Sequence, residues 1–274
     1  MNEIIQFFLK EQKENNTDNT YKALRADCKI LNQYLFENQK QLFCLLENSE
    51  AFKYISFLSS KCAPRTVKRK VCTLRKLLEW CKQKDYLPDE TKIDISENIV
   101  PPEREFAKAD EISLLFKSCC RILEADEYIT ARAKMVTLLI ILCGFKISEI
   151  VEMKLSDITE GGIIKFNDDL RRKRVRFVNP DIIEEPLKRY FAKRKYIVEK
   201  NNIKSDNMFV SLRGNTSANL IRSDFEMIKR FSGTSVTSAS VRNSCIKFYY
   251  SKLTDDLIIG KLFGISQRWV NLCK

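Results

Sequence analysis

The stretch Thr137-Leu-Leu-Ile-Ile-Leu-Cys-Gly-Phe-Lys-Ile-Ser-Glu-Ile-Val-Glu-Met-Lys-Leu-Ser-Asp-Ile158 changes character twice. Its first part lies in an apolar run from Met135 to Phe145, too short to cross a bilayer, which predicts a buried helix. Gly144 predicts a tight turn. After it, Ile147-Ser-Glu-Ile-Val-Glu-Met-Lys predicts a second, shorter helix, with Lys146 at the junction.

Working outward, Gly161-Gly-Ile-Ile-Lys-Phe, a turn at Asn167–Asp168–Asp169 and Arg171 to Val178 predict a small β segment. Helices are predicted over Pro180–Val198, Ala218–Phe231, Ser238–Leu253 and Leu257–Phe263, and upstream over Lys108–Leu123 and Ala131–Cys143. Residues Leu87 to Glu105 hold three of the six prolines and no clear period, so 91–106 reads as a linker between domains at 1–90 and 107–274. The first hundred residues read as helices. Ile4, Ile5, Phe8 and Leu9 begin one; Asp18–Asn19–Thr20 is the expected cap of the next, with Tyr21, Leu24, Cys28, Leu31, Tyr34 and Leu35 at helical spacing. A third runs from Glu50 to Ser59. A fourth starts near Pro64–Arg65–Thr66 and ends near Lys84, with Val67, Val71, Leu74, Leu78 and Cys81 on one face.

That fourth helix is basic. Lys61, Arg65, Lys68, Arg69, Lys70, Arg75 and Lys76 have no acidic residue among them, and Lys68, Arg75 and Lys82 share a face away from the apolar stripe. A face of one sign points to phosphate contact. The whole chain carries +12, of which +3 lies in residues 1–100 and +9 in the remainder. An excess of this size suits a polyanion, because phosphates bound by Lys and Arg release condensed counterions. With no histidine and no C-x-x-C spacing, a Cys/His zinc site is excluded and no metal is expected. The ten cysteines, among them Cys28, Cys72, Cys81 and Cys143 on apolar faces, read as reduced core thiols of a cytoplasmic protein. Met1-Asn-Glu-Ile-Ile-Gln shows no signal-peptide pattern, and no membrane partner is expected.

The opening stretch resembles the segment of tyrosine recombinases (the phage-integrase family, Xer-like) that carries their first catalytic arginine. Gly144, Ile147, Ser148, Glu149, Leu155, Asp157 and Ile158 are in register with it. Val236 to Lys252 resembles the family's His-x-x-Arg helix, Ile258-Ile-Gly-Lys-Leu-Phe-Gly its Leu-Gly-His segment, and Ala63 to Trp80 the last helices of its core-binding domain. The resemblance implies a mainly α fold with a small β-sheet: an N-terminal helical core-binding (SAM-like) domain and a C-terminal catalytic-type domain. It also implies double-stranded DNA as partner, an active recombinase subunit as a second one, and no cofactor.

Such enzymes, the resemblance implies, attack a phosphodiester with a tyrosine. Two arginines grip the phosphate in a fixed fork, while a hairpin lysine and histidines serve acid–base steps. Carried over by motif, the first arginine falls on Lys146, which keeps the charge but not the fork. The hairpin lysine falls near Asp169, with Lys165 or Arg171 as alternatives. The two histidines fall on Ala239 and Ile265, the nucleophile on Lys274, and only Arg242 is retained. Tyr249 and Tyr250 lie about two turns beyond Arg242, where one is expected to face the core.

The expectation is therefore a catalytically inactive DNA-binding protein, either an accessory or regulatory factor or a mobile-element remnant. Its expected DNA contacts are Arg65, Lys68, Arg69, Arg75, Lys146, Arg171, Arg172, Lys173, Arg174 and Arg242, with Arg176 in the same hairpin cluster. Two alternatives stay open: a recombinase with a variant, truncated or partner-completed site, and a protein-interaction module on the same scaffold. With Trp269, Val270 and Leu272 the apolar anchors after Phe263, a monomer is expected in isolation.

Overall fold

The computed structural model describes residues 2–95, 104–121, 127–159, 163–167, 173–252 and 255–265. The chain forms two compact units, Met1–Glu103 and Arg104–Lys274. Asp169, Arg171, Arg172 and Lys274 lie outside the described residues.

The first unit contains helices α1 (Glu3–Asn15), α2 (Asp18–Glu37), α3 (Asn48–Lys61) and α4 (Pro64–Gln83), with a short 3-10 turn at Leu42–Leu46. Thr17, one residue ahead of the expected cap, accepts from the Thr20 amide and starts α2. Pro64 opens α4, where its missing N–H costs nothing. Val67, Val71, Leu74, Leu77, Leu78 and Cys81 of α4 pack with Ile5, Phe8 and Leu9 of α1 and with α2. Each such buried aliphatic side chain contributes roughly 1.5–3 kcal/mol. Two expectations fail here. Cys72 is exposed, not on the apolar face. Residues 91–95, expected as the start of a linker, fold back onto the helices: Ile95 is buried and Arg75 donates to its carbonyl.

The second unit is built around α6 (Tyr128–Cys143), surrounded by α5 (Ala109–Cys120), α8 (Pro180–Lys200), α9 (Ala218–Ser232) and α10 (Ser238–Lys252). Eleven of the sixteen residues of α6 are buried and none is exposed, as a helix apolar on most of its surface requires. The loop segment Met208–Val210 is also buried, and side chains donate to its carbonyls. Tyr190 Oη and Arg194 Nε donate to Met208 O at 2.6 and 3.0 Å, and Tyr128 Oη and Arg132 Nη1 donate to Val210 O at 2.8 Å each. Arg132 also grips both oxygens of Asp224, at 2.7 and 2.9 Å.

A three-stranded antiparallel sheet, β1 (Ile158–Thr159), β2 (Ile163–Asn167) and β3 (Lys173–Phe177), joins α7 (Ile147–Glu152) to α8. On β2, Ile164 and Phe166 face the core and Lys165 faces out. On β3 the usual alternation is inverted. Arg176 pairs with Ile164 and points inward, while Val175 and Phe177 are exposed. Helix α11 (Asp256–Phe263) packs on α10 and β3. Among the described residues no helix is long and apolar enough to cross a membrane.

Candidate active site

Gly144 organises the site. It ends α6 in the left-handed conformation (φ +61°), and a methyl group there would lie 2.8 Å from Phe263 Cε1 and 3.3 Å from Cys245 Sγ. Only glycine meets both demands without strain. The turn delivers Lys146 as the residue capping α7, where Glu149 reaches back to accept from the Lys146 amide at 2.9 Å. Lys146 Nζ stands 3.7 Å from Glu149 Oε1 and is about one-third exposed. Glu149 itself is buried.

Arg242, on α10, spans two segments. Its Nε donates to Gly144 O at 2.9 Å, two residues from Lys146, and its Nη2 donates to Phe263 O at 3.2 Å, two residues from Ile265. Ala239 is exposed in the first turn of the same helix, and Ile265 packs half-buried beside Phe263. Arg242 thus links the turn that carries Lys146 to the end of α11 next to Ile265, with Ala239 three residues before it on α10. Lys165 is exposed on β2.

Arg174 and Arg176 do not form the open phosphate-facing cluster expected of them. Arg174 Nη1 donates to Lys261 O at 2.8 Å, at the end of α11. Arg176 is 1% exposed and lies under the Gly144 turn, its Nε donating to Cys143 O at 3.2 Å. Its guanidinium carbon sits 4.9, 5.1 and 5.5 Å from the ring centres of Phe263, Phe166 and Phe145. Burial pushes its pKa down to about 10, opposed by nearby Glu149, so it stays charged at neutral pH. Lys173 pairs through its backbone with Asn167.

In the first unit Arg65 and Lys68 are exposed on α4. Arg69, also exposed, and Arg75, half-buried, are engaged within the unit. Arg69 pairs with Asp27, which also takes Lys70 Nζ at 2.8 Å and Thr73 Oγ1 at 3.0 Å. Arg75 holds the Ile95 carbonyl. The charge that looks uncompensated along α4 is therefore partly neutralised from α2.

Two tyrosines close to Arg242 in sequence pack inward. Tyr249 Oη donates to Leu142 O at 3.2 Å, and burial pushes its pKa up to about 12. Tyr250 packs half-buried in the same cluster. Among the described residues no group of acidic or sulfur ligands is placed to hold a metal.

A turn joining two helices, an arginine on a later helix tied to that turn, and an adjacent hairpin make up this site. Residues 106–267 match the phage integrase family. The chain belongs to that family. It is 29% identical over 225 residues to tyrosine recombinase XerC of Staphylococcus carnosus (strain TM300), covering 78% of this chain and 71% of that one. It is 31% identical over 166 residues to XerC of Staphylococcus aureus (strain MSSA476), covering 58% of this chain and 53% of that one. The match thus spans about half the length of that second relative. Among solved structures, lambda integrase (75–356) bound to a COC' core site superposes with a TM-score of 0.74 at 14% identity, covering 100% of this chain and 94% of that one. XerH bound to difH in a pre-cleavage complex gives 0.66 at 18%, covering 83% and 66%. These likenesses establish the fold: mainly α with a small three-stranded antiparallel sheet, as in the integrase catalytic domain.

Sequence reasoning missed Glu149 as a site residue, Arg176 as a buried one, and Asp27. Glu149 carried a signal, three residues after Lys146 as in a capping box. Asp27 stands 42 residues from Arg69 and nothing local announces the pairing.

Proposed function

We propose that this integrase-family chain binds double-stranded DNA and does not cleave it. The observation that carries this reading is the set of side chains around Arg242. The arginine is held in place beside a cationic turn, while the neighbouring positions 239 and 265 present a methyl group and an aliphatic chain. No histidine exists anywhere in the sequence to move a proton. Lys146 retains charge but only as a point, so the pentavalent phosphorus loses a bidentate grip. Removing one such stabiliser costs about two to three powers of ten in rate. Tyr249 is no substitute nucleophile, because its hydroxyl is spent on a backbone carbonyl and its pKa is raised.

Arg65 and Lys68 of the first unit and Lys146 and Arg242 of the second are the proposed phosphate contacts. Lambda integrase and XerH, whose folds this chain shares, are described bound to DNA sites. Service beside an active recombinase subunit fits a chain that holds DNA without cutting it. The cysteines among the described residues are free thiols, which supports a cytoplasmic setting.

A nicked suicide duplex tests the reading. The expected result is salt-sensitive retention in a gel shift with no protein–DNA adduct surviving denaturation. A covalent adduct overturns the non-cleaving part. Absence of any salt-dependent binding overturns the DNA-binding part.

A further inference from the structure

Asp27 of α2 is 1% exposed and accepts from three side chains of α4. Lys70 Nζ reaches its Oδ1 at 2.8 Å and Thr73 Oγ1 its Oδ2 at 3.0 Å, both from buried side chains. Those two already balance the carboxylate and satisfy both oxygens. Arg69 Nη1 donates to Oδ2 as well, so the cluster carries one cation more than the burial of Asp27 requires. Lys70 is enclosed, whereas the Arg69 side chain is 46% exposed. It borders the outer arc of α4, where Arg65, Lys68, Cys72 and Lys76 are also exposed and no acidic residue lies between Arg65 and Lys76. Arg69 donates through Nη1 alone: its Nε and Nη2 have no hydrogen-bond partner among the described residues. Nε and Nη2 are the paired donors with which Arg132 grips both oxygens of Asp224. The fold thus anchors one nitrogen of Arg69 and leaves its two-pronged edge open.

Resting on the DNA-binding reading above, we propose that Arg69 is a specificity-determining residue, buttressed by Asp27 to read a guanine edge in the major groove of the bound duplex. Guanine presents two acceptors side by side, N7 and O6, which match a guanidinium fork. Adenine puts an amino donor where guanine has O6, and the pyrimidines offer no such pair. Phosphate oxygens accept over a wide range of directions and ask for no fixed plane, which suits the exposed side chains of Arg65 and Lys68. A base edge is flat, and a guanidinium already held at one nitrogen loses less freedom on meeting it.

Selection from a random-sequence duplex pool, then anisotropy on the recovered duplex, tests this with the full chain. Wild type is expected to fix a G·C pair at one position and to bind about tenfold less tightly when that pair becomes A·T. Replacing the guanine by 7-deazaguanine, which lacks the N7 acceptor, should weaken wild type by about threefold or more. Arg69→Lys keeps the charge and a donor for Asp27 but has no second edge. Its discrimination should fall below about threefold with the salt dependence unchanged. Arg65→Ala should do the reverse, lowering the log–log salt slope by about 0.9 while keeping the guanine preference. Discrimination intact in Arg69→Lys, or full affinity for the 7-deazaguanine duplex, overturns the proposal. So does a guanine preference lost in Arg65→Ala instead. If circular dichroism shows Arg69→Lys unfolded, the 7-deazaguanine duplex decides with wild type alone. Failure of wild type to retain any duplex at low salt defeats the parent reading, whereas a recovered pool with no fixed guanine defeats this one alone.

Discussion

Replacing Gly144 by alanine should destabilise the second unit far more than the same change at Gly233. Both glycines end helices in the left-handed region, at φ +61° and +67°. An added methyl at Gly233 meets nothing within 4 Å, whereas at Gly144 it meets the Phe263 ring at 2.8 Å and Cys245 Sγ at 3.3 Å. The conformational part is shared, about 1–2 kcal/mol for a Cβ in that region. Overpacking adds about 1–3 kcal/mol at Gly144 alone. The totals are therefore about 2–5 kcal/mol for Gly144→Ala against about 1–2 kcal/mol for Gly233→Ala. Phe263 cannot retreat freely, because its carbonyl is held by Arg242 and its ring lies against Arg176. Urea unfolding followed by far-UV circular dichroism reads the difference, which at roughly 1–3 kcal/mol per molar urea is a resolvable shift in midpoint. Equal losses in the two variants, within about 0.5 kcal/mol, would refute the close-packing argument.

Further outcomes follow from the buried charges and thiols. Arg132→Met strands the Asp224 carboxylate and should cost about 3–5 kcal/mol in the same unfolding assay, with Arg132→Met/Asp224→Leu recovering much of it. If the double variant is the less stable, the pair is net stabilising and the reasoning is wrong. In DNA titrations, Arg65→Ala and Lys68→Ala should each flatten the salt dependence by about 0.9 in log–log slope. Arg69→Ala and Arg75→Ala, whose guanidinium groups serve Asp27 and the Ile95 carbonyl, should lower thermal stability first. The reverse assignment would undo the description of α4. Ellman's reagent at pH 8 should modify exposed Cys72 and Cys120 quickly. Cys28 and Cys245, pushed by burial to about 12, and Cys81, pushed to about 11, should wait for unfolding. Fast labelling of those three in the folded chain would contradict their burial.

Periodicity announced the helices because their apolar faces are local properties. The run Met135–Phe145 predicted α6, and Val67 through Cys81 predicted α4, with ends displaced by a few residues. The Gly144 turn was equally plain, since the backbone there needs a residue without Cβ. The hairpin defeated the same logic. In Arg174-Val-Arg-Phe177 the apolar residues belong inside by pattern, yet pairing of Ile164 with Arg176 turns the arginines inward. A one-residue register is fixed by partners that sequence does not reveal. The same limit hid Asp27 beneath α4, and with it the internal partner of the exposed Arg69. Lys146 and Arg242 were singled out through motif resemblance, and the bond that ties Arg242 to the Gly144 turn, 98 residues away, needed the fold.

The bond from Arg242 to Gly144 O joins residues 98 positions apart, and Glu105 and Ala107 are tied to Asn243 and Ser244 across 138 and 137. On the ribosome, helix α6 emerges with its greasy surface bare long before α8, α9 and α10 exist to cover it. At about 5–20 residues per second, that interval lasts roughly 5–20 seconds. Biosynthesis of this chain therefore depends on shielding the nascent polypeptide from its neighbours, so its yield should respond to chaperone supply and growth temperature more than its final stability would indicate.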